Sequence, residues 1–137
     1  MTRHAIAALL LSLAATVALA DDGPAANPNL KLASGEPLRC LPLNRIDETV
    51  VLDGHNVLFY TSRNEVYLND LPHNCPGLSR NKPIMYRTSL SQLCNVDIIT
   101  VLESMGSSYM PGASCGLGMF YPISKDDADK LRKESRK

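Results

Sequence analysis

The sequence predicts a mainly β domain: a small antiparallel meander or partly closed barrel of about six strands, closed by a short C-terminal helix. Three observations carry this. Short apolar, β-branched runs alternate with Gly, Asn, Asp and Ser turns from about residue 50 onward. Four cysteines are spread from Cys40 to Cys115, and the apolar period changes at Ser124.

Taken in order, residues 1–20 are set aside as a secretory signal peptide. Arg3 and His4 supply a basic start, Ala5 to Val17 an apolar core, and Ala18-Leu19-Ala20 a small-x-small cleavage site. The apolar run is short for a membrane span of roughly 20 residues, and Asp21-Asp22 follows at once, so no span is expected after cleavage. Residues 21–38, with Pro24, Pro28 and Pro37, read as a flexible linker. The ordered domain is expected over 39–123.

Within that domain Val50-Val51-Leu52 and Val57-Leu58-Phe59-Tyr60 flank the turn "DGHN", and "SRNE" separates the second run from Val66-Tyr67-Leu68-Asn69. Further strands are expected at Ile84 to Thr88, Ile98 to Leu102 and Leu117 to Ile123. "DIITVLE" is apolar on alternate and intervening positions, which predicts a strand covered on both faces. "SLSQLC", Ser89 to Cys94, reads as one helical turn. From Ser124, S-x-x-D with early Asp and later Lys and Arg predicts a helical tail over 124–137 with a solvated charged face.

An exported domain this small has a thin core margin, and an even cysteine count predicts disulfides. The nested pairing, Cys40 with Cys115 and Cys75 with Cys94, would join the ends of the sheet and pin one long connection; the sequential pairing, Cys40 with Cys75 and Cys94 with Cys115, competes with it. Without any C-x-x-C pair, and with only His55 and His73 beyond the signal, a metal site is not expected. Arg3 leaves with the signal, so 14 basic side chains become 13 against 14 acidic ones. That balance offers no electrostatic reason to bind nucleic acid.

Candidate chemistry is sparse. "GASCG", Gly112 to Gly116, matches the nucleophile-elbow pattern around Ser114, but no histidine follows it to act as base. Pro111 and the flanking glycines read instead as a loop entering the last strand, with Cys115 as the point of the segment. His55 beside Asp53 sits in a turn, and His73 beside Cys75 sits in another. Asp53, Asp70 and Asp97 fall on different elements, so no carboxylate pair is inferred. "GLG" lacks the context of a nucleotide fingerprint, and no cofactor is expected. Of the aromatic residues, Tyr109 in "SSYMPG" stands furthest from the apolar runs. Tyr109 and His55 are the candidate contacts for a ligand or partner.

"RC" at Arg39-Cys40, "YLNDL" at Tyr67 to Leu71, "CPGL" at Cys75 to Leu78, "LCNVDII" at Leu93 to Ile99 and "CGLG" at Cys115 to Gly118 together resemble a family of small exported proteobacterial domains of unknown function with four cysteines. The resemblance implies export and a compact β-rich domain, and it brings no activity or catalytic residue. The expected function is therefore non-catalytic binding of an envelope or extracellular protein, or of a small ligand, through the sheet face or the 104–114 loop, in the periplasm or the medium. A small hydrolase or enzyme inhibitor is the alternative.

Overall fold

A computed structural model describes residues 26–137. The signal-peptide reading, and residues 21–25 of the expected linker, lie outside the described residues.

The central layer is an antiparallel sheet in the order β2 (Ile46–Val51), β3 (Asn56–Thr61), β4 (Val66–Asp70) and β9 (Phe120–Ile123). The first three form the expected meander: "DGHN" connects β2 to β3, and the next turn places Asn64 at a positive φ of 59°, a conformation Asn tolerates better than most residues. Period-2 alternation then sorts the side chains. Val57, Phe59 and Tyr67 enter one core cluster, Leu58, Val66 and Leu68 another. Both faces of β3 and β4 are therefore covered, which makes them the most buried strands of the sheet.

On one face lies α1 (Lys125–Glu134), which buries Ala128 and Leu131 against Leu58, Leu68 and Ile123. Its start is the expected one: the Ser124 hydroxyl oxygen accepts from the Asp127 N–H at 3.1 Å. Arg132 reaches across to Glu48 of β2 at 2.9 Å.

On the other face lie two smaller antiparallel sheets, β1 (Cys40–Pro42) with β6 (Gln92–Cys94), and β5 (Ile84–Tyr86), β7 (Ile98–Met105) and β8 (Ser108–Gly116) in that order. Ile99 and Val101 of β7 join Leu41, Leu93, Phe59 and Phe120 in the larger core, where the two phenyl rings meet edge to face at 5.3 Å. β7 and β8 are joined by Gly106-Ser107 with Gly106 at φ 64°, the positive φ that the first position of a tight type II′ hairpin turn requires.

The mainly β class and the short C-terminal helix are as expected, in nine antiparallel strands with no closed barrel among the described residues. Several more local expectations are corrected here. Ser89 to Cys94 is not a helical turn, because Gln92–Cys94 pairs with β1. Residues 108–116 are not a loop but the longest strand, held by the β7 ladder in spite of their Gly, Ser and Pro content. β7 is covered on one face only: Ile99 and Val101 are fully buried while Ile98 is 55 % exposed. Residues 26–38 do not form a free linker either. Pro28–Leu32 makes a 3-10 turn whose Leu30 and Leu32 pack on the α1 side, and the Leu38 and Phe120 amides exchange hydrogen bonds at 2.8 and 2.9 Å.

The nested disulfide pairing is also overturned. Cys40 bonds to Cys94, its direct cross-strand neighbour in the β1–β6 ladder, and Cys75 bonds to Cys115. The physical reason is β8: pairing with Ile99 turns Cys115 toward the core, where Cys75 is 2 % exposed. The first cross-link staples the β1–β6 pair, and the second ties β8 to the connection after β4.

Candidate functional site

A cleft of about 610 Å³ opens at the end of the central sheet, between the β2–β3 turn, the segment after β4 and residues 26–30. Its geometry follows from Asx chemistry. The Asp53 carboxylate accepts from the backbone N–H groups of His55 at 2.7 Å and Asn56 at 2.8 Å, and from the Asn56 amide at 2.9 and 3.0 Å. Both of its oxygens are thus engaged in holding the turn. Asn27 spans the cleft wall, its amide donating to Asn56 Oδ1 at 2.5 Å and to Asp70 Oδ1 at 2.7 Å. Pro28, Leu30, Leu71 and Pro72 supply the apolar part of the lining.

His55 stands exposed at this rim, its Nδ1 3.4 Å from the Leu71 carbonyl oxygen. Asp53 and Asp70, which looked unrelated along the chain, share the same wall. Asp97 lies elsewhere and accepts from the Cys94 N–H at 2.6 Å. The arrangement can hydrogen-bond a small polar molecule over an apolar floor; Asp53 is a turn cap and not a free base. Asn27 and Asn56 are the participants that the sequence reading missed. The signal available for them is the clustering of Asx residues in "NPN", "DGHN" and "YLND".

Tyr109 is on a different sheet. It is 61 % exposed on β8, opposite Ser104, and at the same hairpin tip Met105 and Met110 are 57 % and 51 % exposed. Ser114 also lies on β8, with its hydroxyl 2.9 Å from that of Thr100, a partner that cannot serve as a general base. His73 is exposed in the connection after β4.

A second cleft of about 500 Å³ is lined by Arg80, Lys82, Arg132 and Glu48, among others. Ion pairs of Arg132 with Glu48 and of Lys82 with Glu103 neutralise much of it. Next to it the Tyr60 hydroxyl is buried without a hydrogen-bond partner; burial pushes its pKa up, and the Arg132 guanidinium, 5.9 Å from the ring centroid, tempers the rise without completing a hydrogen bond. Among the described residues no group of three or more His, Cys, Asp or Glu side chains could hold a metal ion, and no helix is long and apolar enough to cross a membrane.

Fold and surface together define a β-rich domain held by two disulfides, with a polar cleft at one end of its central sheet and an exposed apolar hairpin on a smaller one. The chain belongs to DUF6491, a family of unknown function, whose sequence model spans residues 1–137. No curated protein and no solved structure matches it.

Proposed function

We propose that the mature chain is exported and works as a non-catalytic binding domain in the cell envelope or the surrounding medium, meeting a protein partner through the β7–β8 hairpin around Tyr109. The observation that carries this reading is the concentration of Met105, Tyr109 and Met110 at one tip, each more than half exposed, with Tyr109 on one face of the hairpin and Met105 and Met110 on the other. Grouped exposed apolar side chains mark contact surfaces, whereas scattered ones do not. Two disulfides suit an oxidising compartment, in keeping with export.

A photo-crosslinking amino acid placed at Tyr109 in envelope-expressed protein should trap a discrete adduct, and the same group at Lys130 on the far helix should not. Equal trapping at both positions, or none at Tyr109, would overturn the reading. N-terminal analysis of the same protein should begin at Asp21.

A second reading has its own observation: the cleft beside His55 has the size of a small-ligand site, with a few polar groups over an apolar floor. A small-ligand panel screened by NMR should then shift the amides of Gly54, His55 and Asn56; shifts confined to the hairpin would count against it. In either reading Ser114 is not a nucleophile. A fluorophosphonate probe that labels the wild type but not Ser114→Ala would restore the hydrolase alternative.

A further inference from the structure

We infer that the cleft beside His55 takes a small aliphatic amine, its ammonium held by Asp70 and its hydrocarbon stem laid on Pro28, Leu30, Leu71 and Pro72. The inference rests on the reading of this cleft as a small-ligand site and names the chemistry of the ligand.

The polar wall spends its donors on itself. Asn27 commits both amide hydrogens there, one to Asn56 Oδ1 at 2.5 Å and one to Asp70 Oδ1 at 2.7 Å. The Asn56 amide and the His55 and Asn56 backbone N–H groups all donate to Asp53. What the wall keeps for a ligand is oxygen. Asp70 Oδ2 has no donor among the described residues, and Asn27 Oδ1 and Asn56 Oδ1 each accept one hydrogen bond and retain a second lone pair. Asn56 is 5 % exposed and still lines the cleft, so this wall is built into the fold and is not a fringe of solvated side chains.

Charge narrows the choice further. No Lys or Arg lines the cleft, and neither Asp53 nor Asp70 takes part in an ion pair among the described residues, although the chain as a whole has a formal net charge of +0. Two uncompensated carboxylates on one wall attract a cation and repel an anion. A bare metal ion lacks ligands here, since no group of three or more His, Cys, Asp or Glu side chains among the described residues could hold one. A sugar lacks a stacking surface, because the lining contains no Phe, Tyr or Trp. An ammonium brings three donors to a wall of acceptors, and the four apolar residues opposite suit an uncharged stem. The volume of about 610 Å³ falls within the range of small-molecule sites.

Chemical-shift titration of the full mature, oxidised chain with n-hexylamine, at about 1–20 mM, tests this at the affinity so small a ligand can reach. The amides of Asn56, Asp70 and Leu71 should shift and saturate, while 1-hexanol and sodium hexanoate leave them in place. Affinity should rise about two- to fourfold per methylene from n-propylamine to n-hexylamine as the stem covers the floor. Asp70→Asn keeps the oxygen to which Asn27 donates and removes the charge; it should weaken hexylamine about tenfold while retaining the dispersed spectrum of the folded protein. The comparison of probes needs no variant and decides the matter even if Asp70→Asn is unstable. Equal shifts with hexanol, hexanoate or calcium chloride, or undiminished hexylamine binding in folded Asp70→Asn, would overturn the choice of an amine and leave the cleft a ligand site. If neither these probes nor the small-ligand panel move the cleft amides, the site falls with it.

Discussion

Asn69 is the clearest case of one side chain holding two elements. It is fully buried, its amide donates to the Gly118 carbonyl at 2.7 Å, and its Oδ1 accepts from the Gly118 N–H at 2.9 Å. Gly118 must be glycine for that approach, since a Cβ there would collide with the Asp70 carbonyl. Asn69→Leu keeps the branched heavy-atom skeleton but removes both partners of the Gly118 backbone, and should cost about 2–4 kcal/mol in urea unfolding. Tyr60 is the opposite case, a buried hydroxyl with no partner. Tyr60→Phe should be neutral or stabilising by up to about 1 kcal/mol at pH 7. Because burial raises the Tyr60 pKa above its free value of 10.0, the native state holds that proton more tightly than the unfolded chain does. The associated stability is complete below pH 10.0 and is lost as pH rises through the elevated value. Tyr67, raised by burial and by Glu65, adds to the same alkaline loss. With that hydroxyl gone, the Tyr60→Phe protein should lose less stability than wild type between neutral pH and the tyrosine range, and an identical loss would contradict this assignment.

At the scale of elements, β8 decides the most. Without it Cys115 would lie in a loop free to meet Cys40; pairing with β7 fixes it under Cys75. Peptide mapping under non-reducing conditions should therefore yield Cys40 linked to Cys94 and Cys75 linked to Cys115, and a Cys75–Cys94 peptide would refute the β8 register. The strand also illustrates why composition misleads. Its Pro111 sits opposite Leu102 and its glycines and serines favour turns, yet the hairpin closed at Gly106 aligns it along β7 residue by residue. β6 follows the same rule, three residues made a strand by β1 and not by their own preference. The helix α1, in contrast, is set by local signals alone, with Ser124 at its start and Lys and Arg near its end.

For the whole molecule, stability rests on packed layers reinforced by covalent links. The central sheet is sealed by α1 on one side and by two small sheets on the other, of which the two-stranded β1–β6 pair is too small to stand alone. The disulfides close separations of 54 and 40 residues, worth about 4 kcal/mol each in the chain-entropy account, against a typical total of about 5–15 kcal/mol. The Cys75→Ala, Cys115→Ala double variant should lose about 4 kcal/mol, and full reduction should leave the chain largely unfolded at about 37 °C by circular dichroism. Retention of the oxidised melting profile after reduction would show that the layers hold without the links.

The sequence by itself determined the β class, the meander of β2, β3 and β4, the terminal helix and the presence of cross-links, because each depends on near neighbours: alternation within a strand, a turn of four residues, a cap three positions before its partner. It also singled out His55 and Tyr109 as exposed residues outside the apolar runs. Only the tertiary structure decided which cysteines meet, that 108–116 is a strand, that residues 26–38 lie along β9 and the core, and that Asn27, Asp53 and Asp70 share one cleft wall. Each of these joins positions tens of residues apart, where no local propensity distinguishes one pairing from another and the packing of whole layers makes the choice.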